Sequence, residues 1–142
     1  SQCGTGIKRF LQQVPEIIKV HPDLLIVNFG GNDGFTPAKE FSDLLYSFHR
    51  QLSESKIKLL YSIEPINTDR SPVDIHKSVI IREFAAKTNI HMLDFHKALA
   101  APEVVNSGQI WHDQIHFTNY GHRLAADYFM KTPELRESLQ KR

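Results

Sequence analysis

The sequence predicts an α/β fold with a parallel sheet and right-handed crossovers, on three observations. Short, continuous apolar runs have the length and composition of strands buried on both faces, as parallel strands are. Between them the apolar spacing changes to a helical period. Helix starts are marked three times by a hydroxyl residue followed by proline, at Thr36-Pro37, Ser71-Pro72 and Thr132-Pro133, where the hydroxyl can cap free amides and proline suits the first helical position.

Taken in order, Ile7, Phe10, Leu11, Val14, Ile17 and Ile18 fall on one face of a first helix, which Pro15 interrupts and is expected to kink. "LLIVNFGG" from Leu24 reads as a strand. Phe41, Leu44, Leu45, Phe48 and Leu52 then form one face of a second helix. "IKLLYSIEP" from Ile57 and the shorter "IHMLDF" from Ile90 are the next two strands, with a helix from Pro72 between them. An irregular stretch from Ala98 to Phe117 follows, then a helix beginning near Thr118 or Asn119 and a last one from Pro133. The alternation of strand and helix is what argues for parallel pairing. A loop as long as 98–117 is uncommon unless it carries function.

At 142 residues the chain suits a single core, residues 1–142, and not two. Lysine plus arginine, 17, nearly balances aspartate plus glutamate, 16, so there is no basic footprint for nucleic acid and none for an anionic membrane. No apolar run reaches the ~20 residues of a membrane span, and the start does not read as a signal peptide. Because the chain opens without methionine, localisation stays open. The single cysteine, Cys3, excludes an intrachain disulfide and a cysteine-rich zinc site, and reads as a small buried apolar residue.

Ligands of open α/β sheets sit beyond the carboxyl ends of the strands. There the first strand ends in "FGGNDGF", residues 29–35. Asn32 could donate its side-chain N–H to a developing oxyanion, and Asp33 could brace the loop through backbone amides. A plain turn would use the same residue types. The stretch "IWHDQIHFTNYGH", residues 110–122, supplies the second candidate. A histidine acting as general base needs a carboxylate on its other nitrogen, and Asp113 lies three positions before His116. For His91, His96, His112 and His122 the sequence names no such carboxylate, and they are read as bystanders.

Together these two motifs resemble the SGNH or GDSL hydrolases, which carry Gly-x-Asn-Asp after the third strand and Asp-x-x-His before the last helix. Here they are Gly30-Gly31-Asn32-Asp33 and Asp113-Gln114-Ile115-His116, continued by Phe117-Thr118-Asn119-Tyr120-Gly121-His122. The resemblance implies a three-layer α/β/α, flavodoxin-like fold and ester hydrolysis. Asp113 and His116 would belong to a Ser-His-Asp triad, with Asn32 and the Gly4 amide in the oxyanion hole and Gly6 as a substitute for Gly4. It implies no metal and no organic cofactor. Small-molecule, carbohydrate or lipid esters would be the substrates, including acetylated sugars, short acyl esters, lysophospholipids and thioesters.

The family's Gly-Asp-Ser nucleophile block has no counterpart in these residues. The expectation is therefore an N-terminally truncated domain. It lacks the first strand, the first helix and, by the same reckoning, the second strand. Because strand 24–29 would otherwise present a long apolar edge, either a partner segment or chain supplies them, or these residues are a fragment of a longer protein, or the protomer hides the edge by association; a fragment or a piece of a larger assembly is the expectation. Ser62 ends a strand but lacks the tight turn that exposes a nucleophile, and Ser1 has no strand before it, so the serine is assigned outside this chain. A non-catalytic module of the same fold is the alternative. A zinc site on His112 and His116 would need both histidines on one helix. A metallophosphoesterase would need an upstream Asp-x-His that is absent.

Overall fold

The computed structural model describes residues 6–63, 72–99, 110–112 and 116–140. Three parallel strands form one sheet in the order β1 (Leu24–Phe29), β2 (Lys58–Ile63), β3 (Met92–Asp94). Leu24 pairs with Lys58, Phe29 with Ile63, and Ile63 in turn with Asp94, so all three strands end at one edge. Helices α1 (Ile7–Val20), α2 (Ala38–Ser53) and α3 (Pro72–Thr88) precede or link the strands. After β3 come α4 (Phe95–Ala98), α5 (Asn119–Met130) and α6 (Pro133–Gln140).

The principal core lies between the sheet and α1–α3. Alternation sends Val27 and Phe29 of β1, with Tyr61 and Ile63 of β2, to the same face. There they meet Ile7 and Val14 of α1, Phe41, Leu45, Phe48 and Leu52 of α2, and Ile81 and Phe84 of α3, all buried. Phe29 is the hub: its ring meets Phe10 at 5.2 Å and Phe48 at 5.1 Å edge-on, the geometry aromatic quadrupoles prefer. The periodic faces expected of α1 and α2 are thus the buried ones. Ile18 is the exception, being surface-exposed at the end of α1.

The structure departs from the sequence reading in several places. α1 runs through Pro15. Thr36 does not cap α2: the helix begins at Ala38 with Pro37 at the cap position, and the Thr36 amide donates instead to the Asp33 carbonyl at 2.9 Å. The last helix does begin at Pro133 as expected, and the Thr132 hydroxyl before it donates to the Phe129 carbonyl at 2.8 Å. Ser71 and Cys3 lie outside the described residues. The third strand is cut to three residues because the Asp94 side chain accepts from the Lys97 amide at 2.8 Å and starts α4. β2 is buried on both faces, whereas on β1 the alternate residues face outward, with Ile26 42% exposed. Among the described helices none is long and apolar enough to cross a membrane.

α6 packs on β1 and α4 on β2, and α5 packs against both α4 and α6. An ion pair from Lys58 to Glu137, 2.9 Å, ties α6 to the start of β2. A more buried pair closes the far side: Arg82 of α3 donates through Nε and Nη2 to the two carboxylate oxygens of Asp94, at 2.8 and 3.1 Å. Burial alone would raise the Asp94 carboxyl. The Arg82 hydrogen bonds, the Lys97 amide and the charges of Arg82 and His96 outweigh it and hold the carboxyl below its ordinary range.

Candidate active site

At the carboxyl end of β1 the chain turns at Gly30, whose φ of 115° is one that L side chains rarely adopt. Two hydrogen bonds then fold residues 30–36 into consecutive turns, from the Asp33 amide to the Gly30 carbonyl at 3.0 Å and from Thr36 to Asp33. Asp33 does not project from this tip. It is 3% exposed and turned inward, and it accepts from the Ile7 amide at 2.9 Å and the Gly30 amide at 3.3 Å. One carboxylate thus closes the turn and satisfies a free amide at the start of α1, a helix with no acidic residue in its own first turn. The expected brace is present, and it reaches 26 residues back along the chain.

That brace brings the segment before α1 to the turn. Gly6 has no room for a side chain, since a β-carbon there would stand 2.6 Å from Asp33 Oδ1 and 3.2 Å from the Asn32 carbonyl. Gly4 itself lies outside the described residues. Asn32 faces outward, and among the described residues nothing pairs with its carboxamide. It follows closely on the carboxyl end of β1. Beside it Phe35 is fully exposed.

His116 sits in a small antiparallel element. Trp111 bridges Phe117, the His112 amide donates to the His116 carbonyl at 2.8 Å, and the Thr118 amide donates to the Ile110 carbonyl at 2.8 Å. Thr118 then caps α5, its hydroxyl accepting from the Gly121 amide at 3.1 Å. This bridged pair of segments lies close against the first turn of α5: a β-carbon on Gly121 would be 2.4 Å from the Ile110 carbonyl oxygen. The Trp111 and Phe117 rings stack at 4.7 Å, with His122 edge-on to Phe117 at 5.5 Å. His116 is exposed at the mouth of α5. Asp113 lies outside the described residues. His112 and His116 pair across the bridge and both precede the helix that starts at Asn119, so they do not share a helical face.

The described geometry places Asn32 and His116 on separate supports. Asn32 follows β1; His116 lies on the segment that leaves the same carboxyl edge after β3 and α4. Ser62 is 4% exposed, with its hydroxyl 3.3 Å from the Val27 carbonyl and 3.1 Å from Asn28 Oδ1. It ties β2 to β1 and is not poised to attack. One buried cation was missed by the sequence reading: Lys77 of α3, 2% exposed, donates to the Thr36 carbonyl. Its position on a helix 41 residues away left no local signal.

Fold and site together define a parallel α/β domain with its candidate groups at the sheet's carboxyl edge. The profile of the GDSL-like Lipase/Acylhydrolase family matches residues 1–124. The chain belongs to that family. Solved structures agree on the fold. An acetyl xylan esterase superposes with a TM-score of 0.76 at 23% identity, covering 89% of this chain and 75% of that one. A lipase/acylhydrolase from Enterococcus faecalis gives 0.78 at 18%, covering 94% and 72%. A catalytic serine-to-alanine mutant of an acetylxylan esterase from Geobacillus stearothermophilus gives 0.72 at 16%, covering 90% and 67%. No functionally curated protein matches the chain significantly.

Proposed function

We propose that the chain is the greater part of an ester hydrolase acting by acyl transfer on carboxylic esters. The observation that carries the proposal is the Asn32 turn: a carboxamide without a partner among the described residues, on a backbone locked by buried Asp33, at the carboxyl edge of the sheet in a chain of the GDSL family. Such a donor, fixed before the reaction, is what a developing oxyanion requires. The Gly4 amide is the second donor, supported by the nearness of Gly6 to Asn32.

In this reading a serine outside these 142 residues attacks the ester carbonyl. His116 takes its proton and returns it to the leaving alcohol, and water then repeats the sequence on the acyl-enzyme. Asp113 accepts from the other imidazole nitrogen and stabilises the imidazolium. The serine arrives on a further strand paired with β1, whose outer edge is open among the described strands. A parallel neighbour there lies ~4.8 Å away and ends beside Asn32. The esterases with this fold make acetylated carbohydrates the first substrates to try.

The test is a fluorophosphonate probe on the natural polypeptide that carries these residues. One labelled serine outside residues 1–142, lost on His116→Ala, is expected. No labelling of an otherwise folded protein would instead favour a non-catalytic binding module.

A further inference from the structure

Lys77 lies on α3, off both motifs, yet its side chain spans the two ends of the Asn32 turn. Its stem packs at the beginning, where a β-carbon on Gly30 would be 3.6 Å from Lys77 Cβ. Its ammonium donates to the carbonyl of Thr36 at the end. The charge also sits over the Phe41 ring, 5.1 Å from the centroid, a cation–π arrangement that partly replaces lost hydration. Burial lowers the affinity of Lys77 for its proton, and the carboxylates of Asp33 and Glu40 oppose that effect.

A methionine would fill this space without desolvating an ammonium, so packing alone does not account for lysine. What lysine adds is a directional bond to the turn's last carbonyl. Because no described residue holds the Asn32 carboxamide itself, its direction is set through the backbone of residues 30–36. That backbone is fixed from inside by Asp33 and from α3 by Lys77.

We propose that Lys77 is a positioning residue, clamping the 30–36 turn so that Asn32 presents its carboxamide to the reacting carbonyl. The proposal rests on the oxyanion reading of Asn32. Its test uses the natural polypeptide in four forms: wild type, Lys77→Met, Asn32→Ala and the double variant. Amide hydrogen exchange reports the clamp, and kcat and KM for p-nitrophenyl acetate report its consequence. Lys77→Met is expected to speed exchange at residues 31–36 by about tenfold or more while amides of β2 and α2 keep their rates. It should also lower kcat by about tenfold with KM within about twofold, the cost of a small misplacement. On the Asn32→Ala background the same change should alter kcat by less than about twofold.

Unchanged exchange at 31–36 would overturn the clamp. An equal loss of kcat with and without Asn32 would reduce Lys77 to a stability residue and overturn its positioning role. Wild-type kcat in Asn32→Ala would overturn the oxyanion reading instead, leaving exchange alone to judge the clamp.

Discussion

Gly121→Ala is the sharpest perturbation of the bridged segments that hold His116. Elsewhere in a helix this change adds about 1 kcal/mol of stability, because alanine is the better helix former. Here the new β-carbon would stand 2.4 Å from the Ile110 carbonyl oxygen and 3.1 Å from both Ile110 Cγ2 and Phe117 Cδ1. A relaxed carbon–oxygen contact needs about 3.3 Å, so helix and bridged segments must separate by roughly 0.9 Å. The atom in the way is backbone and cannot rotate aside. Separation strains the Thr118 bonds to Ile110, 2.8 Å from the amide and 3.2 Å from the hydroxyl, worth about 1 kcal/mol each. Overpacking adds ~1–3 kcal/mol. Set against the better helix propensity of alanine, the expected net loss is roughly 2–4 kcal/mol, or about 6–13 °C in Tm. If His116 is the base, a shift near 1 Å should also cost about 10²-fold in kcat. Thermal denaturation and ester-hydrolysis rates measure the two effects. A variant as stable as wild type, with the His116 ring resonances unmoved, would refute the reasoning.

Other consequences follow from buried polar groups. Asp33→Ala strands the Ile7 and Gly30 amides and should cost roughly 2–6 kcal/mol by denaturant titration, at ~1–3 kcal/mol for each unmet group. Asp33→Asn, which keeps one acceptor, should lose less. Asp94 has its carboxyl held below the ordinary range, so its stabilisation is fully present above the unfolded value of about 4 and is lost as pH falls through the lower folded value. Asp94→Asn should therefore be destabilised by roughly 2 kcal/mol near pH 7 and converge on wild type in acid. Convergence is the result to look for in urea midpoints from pH 7 down to 3. The Tyr61 hydroxyl is buried with no hydrogen-bond partner among the described residues, and burial pushes it well above the ordinary phenol range. Tyr61→Phe should leave stability unchanged or raise it by up to about 1 kcal/mol, and a loss above that in calorimetry would mean that the hydroxyl has a partner.

Much of this architecture was legible in the sequence because apolar periodicity is a local signal. The strands from Leu24 and Lys58 and the faces of α1 and α2 follow directly from it. The Asn32 turn and the start of α5 were legible for the same reason, since Gly30 and Thr118 act within three residues of themselves. What escaped depends on contacts distant in sequence. α4 is a four-residue turn created by the Asp94 cap, too short to show a period. Thr36 has the right residue type for a cap, but α2 starts one residue later with no side-chain cap. Lys77 and the partnership of Arg82 with Asp94 exist only once α3 is laid on the sheet. Likewise, nothing local distinguishes the Asp33 that caps α1 from a turn aspartate.

The most direct measurement of the central claim, that Asn32 and His116 act on one acyl centre, is the rate of p-nitrophenyl acetate hydrolysis by the natural polypeptide and its His116→Ala and Asn32→Ala variants. A loss of roughly 10³-fold or more is expected without the base and about 10²–10³-fold without the oxyanion donor, with folding intact in both. Variants that stay folded and hydrolyse the ester at the wild-type rate would contradict the claim.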